Sequence, residues 1–221
     1  MTLELAQRHR SVLVLEPSLD GAAKIARKGN GMFRLHFRGR AAHAGLEPER
    51  GASALAELAR GVLFLETLAD PEKGTTVAAT VARSGERINV IPEDGVLSVD
   101  VRVWSEEEGQ RVSREIRGYR PADARVAVEI EGAVDRPPLE PTEDSLALYG
   151  RARLLANELG FSLEAARVGG ASDGNFTAAA GVPTLDGLGP KGGGAHARDE
   201  FVSLSDLPAR AALLAALVAS A

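Results

Sequence analysis

Residues 31–38 read Gly31-Met32-Phe33-Arg34-Leu35-His36-Phe37-Arg38, so that apolar side chains alternate with polar or charged ones. Because successive side chains of a β-strand point to opposite faces, this period of two predicts a strand with one buried face. The pattern continues with a helix, strands at 75–82 and 96–104, a second helix at 106–117 and a strand at 126–130. The order strand, helix, strand, strand, helix, strand predicts a ferredoxin-like domain.

Apolar periodicity predicts the inward faces of this domain. The first helix carries apolar residues at steps of three and four: Leu55, Leu58, Val62, Leu65 and Leu68. The strand at 96–104 places four apolar residues on one face: Leu97, Val99, Val101 and Val103. The second helix is predicted to turn Val112 and Ile116 inward.

The residues on either side of this domain predict α/β layering. Residues 11–17 form an apolar run that ends in Glu16 and Pro17, which is typical of a buried parallel strand. After a proline-rich linker the pattern predicts a helix ended by Gly160, a strand at 162–168 and a glycine-rich turn at 169–174. A short helix at 175–180 and a strand at 182–188 are predicted to follow. The last predicted helix is capped by Ser205 and has Pro208 in its first turn. We therefore predict an α/β domain at 1–30 and 134–221 into which a ferredoxin-like domain at 31–133 is inserted.

Composition excludes several classes of protein. The 221 residues are 44% hydrophobic, which is ample for a core. A net charge of −5 and an aromatic content of 4% argue against a nucleic-acid partner, and no apolar run approaches the ~20 residues of a membrane span. The chain has no cysteine, which excludes thiolate metal sites and cysteine nucleophiles. Its histidines are few: His9, His36, His43 and His196.

Two glycine-rich sequences near the C-terminus suggest different chemistries. The spacing Gly187-x-Gly189-x-x-Gly192 matches a dinucleotide fingerprint, but a proline and further glycines oppose the helix that this fingerprint requires. Gly170-Ala171-Ser172-Asp173-Gly174 matches a nucleophile elbow, with Asp186 and His196 following in the order of α/β-hydrolases. A serine hydrolase using Ser172 is therefore one alternative, and a simple turn or helix cap is another.

A third signal pairs His196 with Glu16. Gly192-Gly193-Gly194 precedes Ala195 and His196, so the backbone can approach another group closely and present the histidine from a loop. Glu16 ends another predicted buried strand. Together they form a plausible two-ligand fragment of a metal site.

Six motifs, taken in order, resemble the co-catalytic zinc exopeptidase family that contains glutamate carboxypeptidase, acetylornithine deacetylase, succinyl-diaminopimelate desuccinylase and the aminoacylases. They are Val-Leu-Glu-Pro (14–17), Gly-Arg-Ala-Ala-His-Ala-Gly (39–45), Arg-Ile-Asn-Val-Ile-Pro (87–92), Val-Asp-Val-Arg (99–102), Gly-Gly-Ala-Ser-Asp-Gly-Asn-Phe (169–176) and Gly-Ala-His-Ala-Arg-Asp-Glu-Phe-Val (194–202). The resemblance is to the C-terminal part of the family, nearest the glutamate carboxypeptidase branch. It implies that the α/β domain is a partial catalytic domain and that the inserted domain is a dimerisation lid.

The resemblance implies two zinc ions in a complete active site. Glu16 corresponds to the terminal carboxylate ligand of one zinc ion and His196 to the C-terminal histidine ligand of the other. We do not find the family's His-x-Asp motif or the Glu-Glu pair that carries its general base, and we expect both ahead of Met1. One ligand per metal cannot hold zinc, because catalytic sites use about three protein ligands. We therefore expect this chain alone to retain zinc poorly and to be inactive.

The resemblance also implies roles for other residues. His43 resembles a lid histidine that crosses a dimer interface and stabilises the oxyanion. Asn89 and Arg102 resemble groups that bind the free carboxylate of the substrate, although Arg102 could instead pair with Asp100 on its own strand. Four residues of the glycine-rich motifs correspond to substrate-binding positions: Gly170, Ser172, Asp173 and Gly194. Asn175 stands where the deacetylase and desuccinylase branches often place arginine, which favours a substrate like that of glutamate carboxypeptidase.

The expected function is that of a homodimeric dizinc amidohydrolase that cleaves an amide or peptide bond next to a free carboxylate. Its expected partners are an N-acyl amino acid or peptide and a second copy, joined through the lid's outer strand and first helix. No nucleic-acid or membrane partner is expected. We expect a cytoplasmic location, with export left open because the native N-terminus can lie upstream. A serine hydrolase and a non-catalytic dimerisation or ligand-binding module are the alternatives.

Overall fold

The computed structural model describes residues 2–220, and the chain divides into two compact units. Unit 1 comprises the chain up to Lys28 and from Arg136 onward, and unit 2 comprises Gly29–Asp135. These bounds differ by two residues from the predicted ones, 28 against 30 and 135 against 133. Unit 2 is therefore one continuous segment, whereas unit 1 is built from two segments that are distant in sequence.

The elements follow one another in this order. Unit 1 begins with α1 (Thr2–Ala6), β1 (Val12–Leu13) and β2 (Ala23–Arg27). Unit 2 contains β3 (Gly29–Arg38), β4 (Ala42–His43), a 3₁₀ turn (Pro48–Arg50), α2 (Ala54–Glu66), β5 (Thr76–Ser84), β6 (Val90–Ile91), β7 (Asp94–Val103), α3 (Glu106–Gly118) and β8 (Ala127–Arg136). Unit 1 resumes with α4 (Glu143–Glu158), β9 (Ala165–Val168), α5 (Gly174–Ala179), β10 (Thr184–Leu185), β11 (Gly192–Gly193), β12 (Phe201–Val202) and α6 (Leu207–Ala219).

Unit 2 is a four-stranded sheet with α2 and α3 packed against it. The strand order is β5-β7-β3-β8, and β3 and β7 pair antiparallel from Gly29 opposite Val103 to Arg38 opposite Asp94. The alternation predicted for β3 and β7 is confirmed, because their apolar residues are buried in one core with both helices: Phe33, Leu35, Phe37, Leu58, Leu65, Leu97, Val99, Val101, Val103, Val112 and Ile116. This topology is the predicted ferredoxin-like one.

Two details of unit 2 differ from the predictions. Leu55 was predicted to face inward but is 47% exposed, and Leu68 is buried although it lies beyond the end of α2. β5 runs further than the predicted 75–82, and most of it is exposed apart from Val77. The exposure of Leu55 and the exposure of β5 have the same cause: β5 is an outer strand, so its free edge and the neighbouring surface of α2 have no further element of unit 2 to cover them.

Unit 1 contains two parallel strand pairs and helices packed against them, which confirms the α/β class. β1 pairs with β10, and β2 pairs with β9. The helices α4 and α6 contact each other, and α4 contacts β2 and β10. The core unites both parts of the unit: Ala23, Ala152, Ala156, Leu163, Leu185, Leu188, Leu213 and Leu217.

The strands of unit 1 are shorter than predicted. The apolar run 11–17 is a regular strand only in β1, and Leu15 is 55% exposed. The strand predicted at 182–188 is reduced to β10, because Gly187 adopts a φ of +70° that turns the chain out of the strand. The pairing of β1 is parallel, as predicted.

The start of the last helix was also predicted incorrectly. α6 begins at Leu207, and the residue at its N-cap position is Asp206 rather than Ser205. The Ser205 hydroxyl bonds to the Ser203 hydroxyl at 3.0 Å instead. Pro208 lies in the first turn, as predicted. Among the helices of residues 2–220, none has the length and apolar character needed to cross a membrane.

Candidate functional site

His43 and Asn89 are neighbours on a short ribbon of unit 2. β4 and β6 pair antiparallel, and the amide of Ala44 donates to the carbonyl oxygen of Asn89 at 2.9 Å. The Nδ1 atom of His43 accepts hydrogen bonds from the backbone amides of Gly45 and Leu46, each at 3.2 Å. A ring nitrogen that accepts carries no proton, so this pattern assigns the neutral tautomer with Nε2–H. Because His43 is exposed, Nε2–H is available to donate to a ligand's oxygen.

Arg102 lies on β7 of the four-stranded sheet, whereas the β4–β6 ribbon is a separate two-stranded sheet. The ribbon continues the end where Arg38 pairs with Asp94, whereas Arg102 is eight residues further along β7. Eight extended residues span about 27 Å. The Arg102 guanidinium donates to both carboxylate oxygens of Asp100, at 2.9 and 3.0 Å, so the same-strand pair considered in the sequence is present. The structure thus brings Asn89 close to His43 but places Arg102 far from both within one copy.

Ser172 is buried in the loop between β9 and α5. Its hydroxyl donates to Asp186 and accepts from the amide of Gly174 at 3.1 Å. Asp186 is fully buried and receives two hydrogen bonds from Arg27, at 2.9 and 2.7 Å. The third guanidinium nitrogen of Arg27 donates to the carbonyl oxygen of Gly170 at 2.9 Å. The buried Arg27–Asp186 ion pair therefore anchors the predicted substrate-binding loop through Ser172 and Gly170.

This geometry differs from that of a serine hydrolase. In a Ser-His-Asp triad the histidine stands between the hydroxyl and the carboxylate. Here Ser172 bonds to Asp186 directly, and Arg27 occupies both oxygens of that carboxylate. Within residues 2–220 no hydrogen bond joins the ring of His196 to Ser172 or Asp186. Ser172 is therefore held as a buried turn residue, as the simpler interpretation of the motif proposed.

Glu16 follows β1 on an exposed segment. The amide of Gly189 donates to its carbonyl oxygen at 3.0 Å, and a Cβ at Gly189 would lie 2.8 Å from that oxygen, so glycine is required for this close approach. Lys24 lies near the Glu16 carboxylate. Burial, together with the neighbouring Arg27 charge, lowers the pKa of Lys24, while Asp186 and Glu16 act in the opposite direction.

His196 is exposed in a tight turn that follows β11. Gly194 and His196 have φ values of +70° and +65°, and the amide of Ala197 donates to the carbonyl oxygen of Gly194 at 2.7 Å. The preceding glycines serve a structural purpose. β11 pairs with β12, and a Cβ at Gly192 would lie 2.5 Å from the carbonyl oxygen of Phe201. The group that Gly192 and Gly193 approach closely is therefore Phe201 of the β12 strand.

The described residues do not complete a metal site. Across residues 2–220 no group of three or more histidine and carboxylate side chains is placed to hold a metal ion. The chain does contain consecutive glutamates at 106–108, but they open α3, and Glu108 is engaged by Lys73 and Arg111. Glu16 and His196 do not by themselves fit a zinc site, because a catalytic zinc ion takes about three protein ligands.

The Arg27–Asp186 pair was missed by the sequence analysis. Its partners are 159 residues apart, so no local pattern connects them. The available signal was the position of Asp186 directly after an apolar run, where an isolated carboxylate needs a buried partner. Asp173, by contrast, is exposed, with its nearest cation, Arg136, at 3.9 Å.

The fold is that of a ferredoxin-like unit inserted into an α/β unit, with His43 exposed on the β4–β6 ribbon. Residues 25–126 match the family model described as the peptidase dimerisation domain, and the proteins similar to this chain include peptidases and amidohydrolases. Members of the family typically use zinc.

Two relatives are similar in sequence. Carboxypeptidase G2 of Pseudomonas sp. (strain RS-16) is 30% identical over 213 residues, which cover 94% of this chain and 51% of that protein. One of the subunits of the p-aminobenzoyl-glutamate hydrolase of Escherichia coli (strain K12) is 38% identical over 81 residues, covering 36% of this chain and 19% of that protein. The chain thus spans about half the length of the first relative.

The fold is shared with a solved peptidase. The aminopeptidase PepT from Bacillus cereus superposes with a TM-score of 0.85 at 21% identity, over 96% of this chain and 58% of that chain. At this identity the likeness establishes the fold alone. It confirms the predicted architecture of an α/β unit with an inserted ferredoxin-like domain.

Proposed function

We propose that this chain supplies the dimerisation unit and part of the catalytic unit of a zinc-dependent hydrolase that cleaves an amide or peptide bond next to a free carboxylate. The names of the two relatives support the substrate class, since one is a carboxypeptidase and the other a hydrolase of p-aminobenzoyl-glutamate. Asn175 is buried with its amide bonded to the protein backbone, so it takes no part in binding the substrate's carboxylate.

The observation that carries the proposal is the separation of the candidate substrate groups along the sheet of unit 2. His43 and Asn89 lie on the ribbon that follows the Arg38–Asp94 end of the sheet, and Arg102 lies eight residues beyond Asp94 on β7, a span of about 27 Å. One copy cannot close these groups around a small molecule, but two copies can, if the ribbon of one reaches the site of the other. In that arrangement Arg102 binds the free carboxylate, and Nε2–H of the second copy's His43 donates to the carbonyl oxygen on which negative charge develops.

A dimer surface is available at the outer edge of unit 2. β5 is a nine-residue outer strand with no charged side chain before Arg83, and an unprotected edge of this kind pairs readily with another strand. On the adjacent α2, Leu55, Ala59 and Leu63 are four residues apart and lie exposed on one face. Leu55 and Leu63 are 47% and 64% exposed. We propose that β5 and this stripe of α2 form the two-fold interface.

Glu16 and His196 are proposed as ligands of two different zinc ions, each needing further ligands that this chain does not supply. Calorimetric titration of the purified chain with zinc should therefore show no stoichiometric tight binding of two ions, and an N-acyl-glutamate panel should be hydrolysed no faster than background. Tight binding of two zinc ions, or turnover that a chelator abolishes, would contradict this ligand assignment. Turnover that a serine-directed phosphonate blocks and a chelator spares would favour the serine hydrolase.

The shared site is tested by pairing two impaired variants in the active, zinc-loaded enzyme. His43→Ala and Arg102→Ala should each lose activity alone. In a mixed dimer one site then keeps both groups, while the other loses both. Random 1:1 mixing makes half of the dimers mixed, so about one quarter of the wild-type activity should return. Each variant mixed with itself is the control, and mixed dimers without recovered activity would refute the arrangement.

A further inference from the structure

The side chain of Asn175 binds both chain segments that connect the two units. Asn175 is fully buried at the start of α5. Its Nδ2 donates to the carbonyl oxygen of Lys28 at 3.1 Å and to that of Pro137 at 2.9 Å. Its Oδ1 accepts from the amide of Ser172 at 2.9 Å. Both amide protons and the carbonyl oxygen of the side chain are therefore used.

The two carbonyl groups lie at the ends of the insertion. Lys28 is the last residue before unit 2, and Pro137 is the second residue after it. Next to them, Arg27 and Leu139 exchange backbone hydrogen bonds at 3.1 and 3.0 Å, and the amide of Lys28 donates to the carbonyl oxygen of Val168 at 3.0 Å. The outgoing and returning segments are thus paired with each other, and Asn175 joins that pair to the Ser172 loop.

We propose that Asn175 is a positioning residue that couples the loop at residues 169–175 to both connections between the units. The hydrogen bonds to Lys28 and Pro137 come from one planar amide, so the two carbonyl oxygens cannot separate or rotate independently while both bonds persist. The bond from Ser172 to Oδ1 fixes the same amide from the loop side. A displacement of the loop therefore reaches both connections together. This coupling does not depend on the proposed function.

Asn175→Ala removes all three hydrogen bonds and is the principal test. Thr177→Val is the matched control, since Thr177 is also buried in α5 and bonds to Gly174 and Thr184, remote in sequence from the connections. Amide hydrogen exchange at Lys28 and Leu139 should accelerate about tenfold in Asn175→Ala and stay unchanged in Thr177→Val. Equal acceleration in both variants, or none in either, would overturn the proposal.

If Asn175→Ala does not fold, Asn175→Ser provides the same test. Its hydroxyl keeps a polar group in place but has one proton, so it cannot donate to both carbonyl oxygens. Limited trypsin digestion at Lys28 then serves as the readout, with faster cleavage expected than in Thr177→Val. Equal cleavage rates would count against the proposal. None of these measurements depends on metal or turnover, so their failure would leave the proposed hydrolase function standing.

Discussion

Replacing Glu108 by glutamine should destabilise unit 2 substantially. The Glu108 side chain is 6% exposed and accepts hydrogen bonds from Lys73 at 2.7 Å, Thr75 at 2.9 Å and Arg111 at 2.8 Å. These partners, Arg111 foremost, lower the pKa of Glu108 from 4.5 to about 2. A displacement of that size corresponds to about 3 kcal/mol. Lys73 is half-exposed, so solvent screening reduces its share, and we expect a loss of about 2 to 3 kcal/mol.

Urea unfolding followed by tryptophan fluorescence measures this loss. The chain has one tryptophan, Trp104, and it lies in unit 2, so its emission reports that unit. The control is Glu107→Gln, which removes the same charge from the same first turn of α3 at an exposed position. If Glu108→Gln lowers the unfolding free energy no more than Glu107→Gln does, the buried ion pair does not stabilise the unit and the argument fails.

The same pair predicts a pH dependence. The pKa of Glu108 is lower in the folded state than in the unfolded state, so its contribution is complete above about pH 4.5 and is lost as the pH falls toward 2. The unfolding free energy of unit 2 should therefore fall across this range in the natural protein and fall less in Glu108→Gln. Parallel pH profiles for the two proteins would contradict the assignment.

If the proposed dimer forms, Leu63→Asp should turn it into a monomer in sedimentation, because the substitution places a charge on the exposed stripe of α2. Leu154→Asp, at a leucine 62% exposed in unit 1, should leave the proposed dimer intact. Monomers from both variants, or from neither, would rule out the proposed surface. Gly189→Ala should lower stability by about 1 to 3 kcal/mol, because its Cβ would lie 2.8 Å from the carbonyl oxygen of Glu16. Gly169→Ala, with no atom within 4 Å of its Cβ, is the control in the same thermal melt, and equal losses would refute the packing argument.

The regular parts of unit 2 could be predicted because each strand buries one face. In β3 the sequence alternates between core residues such as Phe33 and Phe37 and outward charged residues such as Arg34, so period and burial agree. The same rule misplaced Leu55, since an apolar stripe on a helix does not reveal whether its own core or another molecule covers it. The apolar periodicity of a sequence shows which side chains are apolar, but the tertiary packing determines which of them are buried.

The candidate site was less predictable, because its contacts join residues that are distant in sequence. The resemblance supplied Glu16, His43 and His196, but no periodicity could show that Arg27 holds Asp186 across 159 residues. Nor could it show that Gly192 accommodates a neighbouring strand, since a glycine run before a histidine is equally compatible with a ligand. The role of such a residue becomes clear only from the residue that packs against it in the folded structure.

The backbone pairing of Arg27 with Leu139 has a consequence for how the molecule folds. Residues that meet in the core of unit 1, such as Ala23 and Leu163, are separated in sequence by the whole of unit 2. Closing so long a loop in an unfolded chain carries an entropic cost that grows with its length. Once unit 2 has folded, its own two ends are fixed, and the effective loop is short. We therefore expect unit 2 to form first and to bring the two halves of unit 1 together. Leu35→Ala, in unit 2, should then slow the folding of both units, whereas Leu213→Ala, in unit 1, should slow the folding of unit 1 alone.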